Sequence, residues 1–159
     1  DYRGFWYSPG PRHLVLAERG TTPSDSDDWL RDACLAAGSG LAAISGRART
    51  SRAALRQQVQ NHDCGRVTLT GHSLGGSVAA FNSCMAARDL QVDTAHVFNP
   101  GGLPDLTRYL SCMLAASDIV VHRISGDPVS VAFLPFRQRQ YARRCGHEDI
   151  DSHRLVHFL

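Results

Sequence analysis

Short hydrophobic runs alternate along the chain with longer segments of helical spacing. Bounded by turn residues, the runs predict four strands, at 12–18, 66–70, 94–98 and 119–124. Apolar residues three or four apart predict helices at 24–37, around 55–59, at 74–85 and at 106–114. The Gly/Ala/Ser-rich stretch 38–51 predicts a loop. Strands alternating with helices imply an α/β fold with a mostly parallel sheet flanked by helices.

The length and composition fit a single domain, taken as residues 1–159. The chain has 159 residues, of which 43% are hydrophobic, enough to bury a substantial core. No stretch approaches the ~20 apolar residues that span a bilayer. The start shows neither methionine nor a signal-peptide pattern, which fits a mature product or a domain excised from a longer protein.

Charge and cysteine patterns exclude several kinds of chemistry. All 17 basic residues are arginine, so Schiff-base lysines, serine–lysine dyads and phosphate-binding loops are excluded. A net charge of +2, with arginines spread along the chain, gives no sign of nucleic-acid binding. The basic run 137–144 is interpreted as a solvated helix face or loop. Five cysteines at spacings that match no zinc pattern leave open free thiols or one or two disulfides, and we expect neither a metal nor another cofactor.

The candidate chemistry begins at Gly71-His72-Ser73-Leu74-Gly75, which fits the nucleophile-elbow pattern G-x-S-x-G. In that motif the serine occupies a tight strand-to-helix turn, where side chains at the glycine positions would collide with neighbouring backbone. A predicted strand precedes the motif and a predicted helix follows it, as the pattern requires. The alternative is a glycine-rich turn with an incidental serine.

A serine nucleophile needs a base and an acid that orients it, and on this type of fold they follow it in the order acid, then histidine. Asp127 follows the strand at 119–124, whereas Asp118 begins that strand at the opposite end of the sheet. Asp127 is therefore the predicted acid, with a simple Gly-Asp-Pro turn as the alternative. His153 is the preferred base, ahead of His147 and His157, because polar residues precede it and apolar residues follow it.

An acyl-transfer site also needs donors for the developing oxyanion. One is expected to be the backbone N–H of Leu74, directly after the nucleophile. The other is expected in the loop after the first predicted strand, where Thr21 could offer its N–H and hydroxyl. In the alternative interpretation this loop is only a helix start, with Thr22 and Ser24 as caps.

Together these segments resemble the fungal-type (class three) lipases of the α/β-hydrolase superfamily. The similar segments are ERGTTPSDSDDW, VTLTGHSLGGSVAA, VFNPGG, HRISGDPVS and SHRLVHFL. The resemblance implies Ser73 as nucleophile, Asp127 as acid, His153 as base, and Thr21 and Leu74 as oxyanion donors.

The chain also departs from that family. Glu18 stands where an aromatic residue is usual, and only about a dozen residues precede the first predicted strand. A lid would fall within 38–53, which is too short and Gly/Ala-rich for a substantial helical flap, so we expect a minimal core with little or no lid.

We therefore expect a serine hydrolase that cleaves lipid esters, of the triacylglycerol lipase or phospholipase type. A short-chain esterase and a non-catalytic binding or assembly module on the same fold stay open. A lipid or ester is the expected substrate and a membrane surface a candidate contact, through apolar residues such as Leu41, Ile44, Phe133, Leu134 and Phe136. Secretion or a membrane surface is the favoured location, and the oligomeric state is left open.

Overall fold

Six strands form one mixed sheet in which spatial order follows chain order. The computed structural model describes residues 4–20, 41–86, 89–101, 118–125, 127 and 137–141. Its strands are β1 (Gly4–Gly10), β2 (His13–Glu18), β3 (Arg66–His72), β4 (Val92–Phe98), β5 (Asp118–Ile124) and β6 (Arg137–Tyr141), and its helices are α1 (Leu41–His62) and α2 (Leu74–Ala86). β1 is antiparallel to β2, and every later pair is parallel. The α/β fold with a mostly parallel sheet is confirmed.

The parallel pairs bring the carboxyl ends of β2 to β5 to one edge of the sheet. Glu18 lies beside Gly71, and Gly71 lies beside Val97. The segments that leave these strands therefore start close together. In open α/β sheets this edge is where ligands and catalytic groups gather.

The core lies between the sheet and the two helices. Val67 and Leu69 of β3 and Val97 of β4 are fully buried, and α2 packs on these strands and against α1. Ten of the 13 residues of α2 are buried, as expected of a helix that is apolar on most of its surface. The strand and helix on either side of the G-x-S-x-G motif are thus among the most enclosed elements described.

Helix α1 begins much earlier than predicted. The sequence suggested a loop over 38–51, but the structure is helical from residue 41. Ala48, Ser51 and Leu55, spaced three and four residues apart, form a buried face of this helix. Packing of that face overrides the Gly and Ser content that suggested a loop. The segment expected to hold a lid therefore contributes, in its described part from residue 41, to a core helix.

Two strands were not predicted. The aromatic stretch 5–7 lies in β1, which pairs with β2 and is an outermost strand of the sheet. The first five residues of the basic run form β6 beside β5, so its interpretation as a helix face or loop is wrong for 137–141. In β6 arginine and glutamine alternate, and main-chain pairing with β5, which hydropathy does not report, determines the conformation.

Other expectations concern residues outside the described ones or are met only in part. The predicted helices at 24–37 and 106–114 lie outside them. Cys84 is disulfide-bonded, and Cys64 is a buried free thiol. No helix in the described ranges is long and apolar enough to cross a lipid bilayer.

Candidate active site

Ser73 occupies the turn that joins β3 to α2. Its φ is 55°, a conformation that non-glycine residues rarely adopt, and it is only 3% exposed. The Ser73 N–H donates to the Phe98 carbonyl at 3.0 Å, and the Ser73 carbonyl accepts the Ser77 N–H at 3.1 Å. The first bond ties the turn to β4, and the second starts the helix. Ser73 is therefore held in a strained conformation by both neighbouring elements.

The glycines of the motif are required by close backbone contacts. A Cβ on Gly71 would collide with the backbone of Gly75, and a Cβ on Gly75 would collide with the backbone of Glu18 and Arg19. The turn thus lies directly against the end of β2. The structure supports the steric reason for glycine that the motif implies.

Asp127 lies three residues beyond β5 and is 1% exposed. Its N–H donates to the Ile124 carbonyl at 3.1 Å, which closes a turn at the end of the strand. Asn99, which follows β4, supports this turn: its Oδ1 accepts the Ile124 N–H at 3.0 Å, and its own N–H donates to the His122 carbonyl at 2.8 Å. Asn99 was not predicted as part of the site, although an asparagine directly after a strand, before Pro-Gly, is a turn signal in the sequence.

Ser73 and Asp127 follow β3 and β5, which have only β4 between them. Two strand spacings separate the ends of these strands by roughly 10 Å. An imidazole could fit between a serine and a carboxylate at that separation. Ser73 and Asp127 thus follow strands whose carboxyl ends lie at the same edge of the sheet.

Comparison with known proteins identifies the family. A sequence model of the family "Lipase (class 3)" matches residues 15–101, more than half of the chain. The chain belongs to the class 3 lipase family.

Solved structures of fungal lipases share the fold. The lipase from Rhizopus microsporus var. chinensis superposes with a TM-score of 0.60 at 15% identity, over 80% of this chain and 50% of that one. A triacylglycerol lipase from Penicillium expansum gives a TM-score of 0.55 at 15% identity, over 87% of this chain and 63% of that one. The chain thus spans about half to two thirds of the length of these lipases, and its α/β-hydrolase-like fold is confirmed. A comparison with curated protein sequences gave no match.

Other predicted site residues of this class 3 lipase family member fall into two groups. His72 ends β3 next to Ser73, and Leu74 is the first residue of α2, where helix N–H groups lack intrahelical partners. Thr21 and His153 lie outside the described residues, as do the alternative bases His147 and His157. The side chains of the apolar residues suggested for membrane contact also lie outside them.

His122 has a packing role. It lies in β5, 6% exposed, with its Nε2 3.0 Å from Nδ1 of His96 and its ring stacked on Phe98 at a centroid distance of 4.6 Å. Burial, together with the nearby His96 and Arg139, lowers the pKa of His122 to about 4. The ring is therefore neutral at physiological pH, and its contacts with His96 and Phe98 hold it in place.

A buried polar cluster adjoins the elbow of this class 3 lipase core, and the sequence analysis did not predict it. Ser51 of α1 donates a hydrogen bond to Oε1 of Glu18, and Nδ2 of Asn82 on α2 donates to the Ser51 hydroxyl at 2.9 Å. We call these three residues the Glu18 cluster. Arg47, one turn before Ser51, donates to the Arg19 carbonyl. Burial raises the pKa of Glu18 to about 7, against the opposing effects of the Ser51 hydrogen bond and the Arg47 charge.

A cavity of about 300 Å³ lies at the other end of the sheet. Its lining includes His13 at the start of β2, Cys64 just before β3 and His62 at the end of α1. These positions are at the amino ends of the parallel strands. The cavity is therefore separate from the edge that carries Ser73.

Proposed function

We propose that this chain is a serine hydrolase that cleaves carboxylic esters of lipids, with Ser73 as its nucleophile. The observation that carries the proposal is the conformation of Ser73: a buried serine at φ 55° between a parallel strand and a helix, with backbone contacts that require glycine on both sides. Such a turn presents the serine hydroxyl at the carboxyl edge of the sheet. Membership of the class 3 lipase family supports the same chemistry.

The proposed mechanism uses a Ser-His-Asp triad. His153 takes the proton of the Ser73 hydroxyl as the oxygen attacks the ester carbonyl, and Asp127 orients and stabilises the resulting imidazolium. His153 then protonates the departing alcohol, which leaves an acyl-enzyme. Water, deprotonated by His153, attacks the acyl carbonyl and releases the fatty acid and free Ser73.

Two backbone donors are proposed for the tetrahedral oxyanion. The N–H of Leu74 is available because it belongs to the first turn of α2. The N–H of Thr21 comes from the loop after β2, whose first residues lie against Gly75. Donors of this kind typically contribute about 10²–10³-fold to kcat.

Labelling with a fluorophosphonate tests the nucleophile directly. The folded protein should gain one phosphonyl group on Ser73, and Ser73→Ala should gain none. Ser8→Ala is the matched control, because Ser8 is an exposed serine on β1, and it should label like the wild type. If folded wild-type protein stays unlabelled, a non-catalytic module becomes the better interpretation.

Separate alanine variants of His147, His153 and His157 test the base. We expect His153→Ala to lower kcat by several orders of magnitude, since removal of a triad member leaves mainly the binding and oxyanion contributions. An equal loss in His157→Ala or His147→Ala would contradict the assignment of His153.

The substrate class is tested by comparing fatty-acid release from triacylglycerol emulsions, phospholipid vesicles and short p-nitrophenyl esters. We propose that lipid esters are turned over. Turnover of the short esters alone would make the chain an esterase. Triacylglycerol emulsions also test contact with a lipid surface, because such contact predicts a rise in rate once the substrate exceeds its solubility.

A further inference from the structure

We propose that Glu18 is a positioning residue for ester hydrolysis, whose buried side chain fixes the start of the loop that carries Thr21. This inference rests on the proposed function, because Thr21 matters as an oxyanion donor only if esters are cleaved. Glu18 is the last residue of β2 and is 3% exposed. The loop therefore leaves the sheet at Glu18.

Both helices hold this exit point. Ser51 of α1 donates to the Glu18 carboxyl, and Asn82 of α2 donates to Ser51, so the side chain is bound directly to α1 and linked through Ser51 to α2. Arg47 binds the carbonyl of the next residue, Arg19. Side chain and backbone are thus fixed at consecutive positions immediately before Gly20 and Thr21.

The same residue touches the nucleophile elbow through its backbone. Glu18 lies beside Gly71 in the sheet, and its carbonyl lies against Gly75. The two proposed oxyanion donors come from the loop after β2 and from the start of α2. Glu18 joins these two segments, so it ties the described start of the loop to the elbow.

An oxyanion hole depends on donors placed 2.7–3.1 Å from the developing charge, and a displacement of about 1 Å can lower a rate about 10²-fold. A hydrocarbon at position 18 would leave the buried Ser51 hydroxyl without its acceptor and release the exit point. Glutamine keeps a carbonyl oxygen that can accept from Ser51. The cluster therefore predicts different effects for leucine and glutamine.

Steady-state hydrolysis of a soluble p-nitrophenyl ester tests the inference in the full chain. Glu18→Leu should lower kcat about 10- to 100-fold with little change in KM, since oxyanion contacts act in the transition state. Glu18→Gln should retain most of the wild-type kcat at neutral pH. Ser51→Ala, which removes the same hydrogen bond from the helix side, should lower kcat in the same direction. Leu16→Ala is the control: Leu16 is fully buried two residues earlier on the same face of β2, so this change destabilises the strand but removes none of the polar groups of the Glu18 cluster.

The outcomes separate this inference from the proposed function. A wild-type protein that neither labels at Ser73 nor cleaves esters would overturn the proposed function and this inference with it. An active wild type, together with an unchanged kcat in folded Glu18→Leu or in Ser51→Ala, would overturn this inference alone. An equal fall in kcat in Leu16→Ala would also overturn it, because the effect would then be general destabilisation. If Glu18→Leu does not fold, Ser51→Ala decides.

Discussion

The stability of Glu18→Gln relative to the wild type should be higher at pH 8 than at pH 4. The carboxyl is 3% exposed, and its Oε2 has no hydrogen-bond partner in the described part of the chain. Ser51 and Arg47 favour the ionised form, but burial disfavours it more, and the pKa rises from 4.5 to about 7. Of the three effects, the Arg47 charge is the smallest.

The sign and size of the effect follow from proton linkage. Between pH 4.5 and about 7 the folded protein holds a proton on Glu18 that the unfolded chain has lost, so stability falls as pH rises through this window. At roughly 1.4 kcal/mol per pH unit, the difference between 4.5 and about 7 corresponds to about 3 kcal/mol. Glutamine does not titrate. The stability of Glu18→Gln relative to the wild type should therefore rise by about 3 kcal/mol from pH 4 to pH 8.

Denaturant unfolding of both proteins at pH 4, 5, 6, 7 and 8 measures this difference. Any pH-independent cost of the amide cancels when values at two pH values are compared, and so do other groups that titrate alike in both proteins. Asp63→Asn is the matched control. Asp63 has a side chain 90% exposed and a φ of 43°, which asparagine tolerates, so its substitution should change stability by less than about 1 kcal/mol at every pH.

Two results would contradict a raised pKa of Glu18 in the folded protein. A stability difference between Glu18→Gln and the wild type that does not vary with pH would mean that Glu18 ionises alike in the folded and unfolded protein. A difference that falls as pH rises would mean that the attraction of Arg47 outweighs the cost of burying the carboxylate. Either result would show that the pKa of Glu18 is not raised in the folded protein.

Three further predictions concern the elbow, the turn between β5 and Asp127, and the contact between His96 and His122. Gly75→Ala should prevent folding or abolish activity, because its Cβ would enter the backbone at the end of β2, whereas Gly46→Ala, which meets open space on α1, should raise the melting temperature through its gain of up to about 1 kcal/mol. Asn99→Ala should lower the free energy of unfolding by about 1–3 kcal/mol, measured with denaturant, since the buried Ile124 N–H loses its acceptor; an unchanged value would contradict that role. The ring resonances of His122 should stay constant from pH 8 to pH 5 in an NMR titration, because its pKa is about 4, and a midpoint near 6.5 would show that the ring is hydrated.

The central part of the fold could be predicted because its elements are buried and show a clear hydrophobic period. Strands β2 to β5 and helix α2 are confirmed at nearly their predicted bounds. The elbow could be predicted as well, because its glycines are a local steric requirement. The edge strands could not, since β1 and β6 are fixed mainly by main-chain pairing with a neighbour distant in sequence.

The turn at Ser73 could be predicted because it lies in a short motif, whereas the polar contacts around the site were missed because they join residues distant in sequence. Ser73 and its glycines occupy five consecutive positions. One hydrogen bond joins the Ile124 N–H to Asn99, 25 positions apart, and another joins Ser51 to Glu18, 33 positions apart. No local pattern reports such pairs, because each residue type is common in turns and helices. His153 and Thr21 stay predictions from sequence.

Glu18 shows why a departure from the family pattern carries structural information. The resemblance to class three lipases implies an aromatic residue at this position. Such a residue would fill the space between β2 and the helices by packing alone. A carboxyl needs a polar partner there, which Ser51 of α1 provides, and Asn82 of α2 in turn donates to Ser51. Replacing Glu18 alone by an aromatic would leave the buried Ser51 hydroxyl without its acceptor. The triple change to an aromatic at 18 and alanines at 51 and 82 should consequently be tolerated better than the single one, and a strictly additive outcome in that cycle would show that the three side chains do not act as a unit.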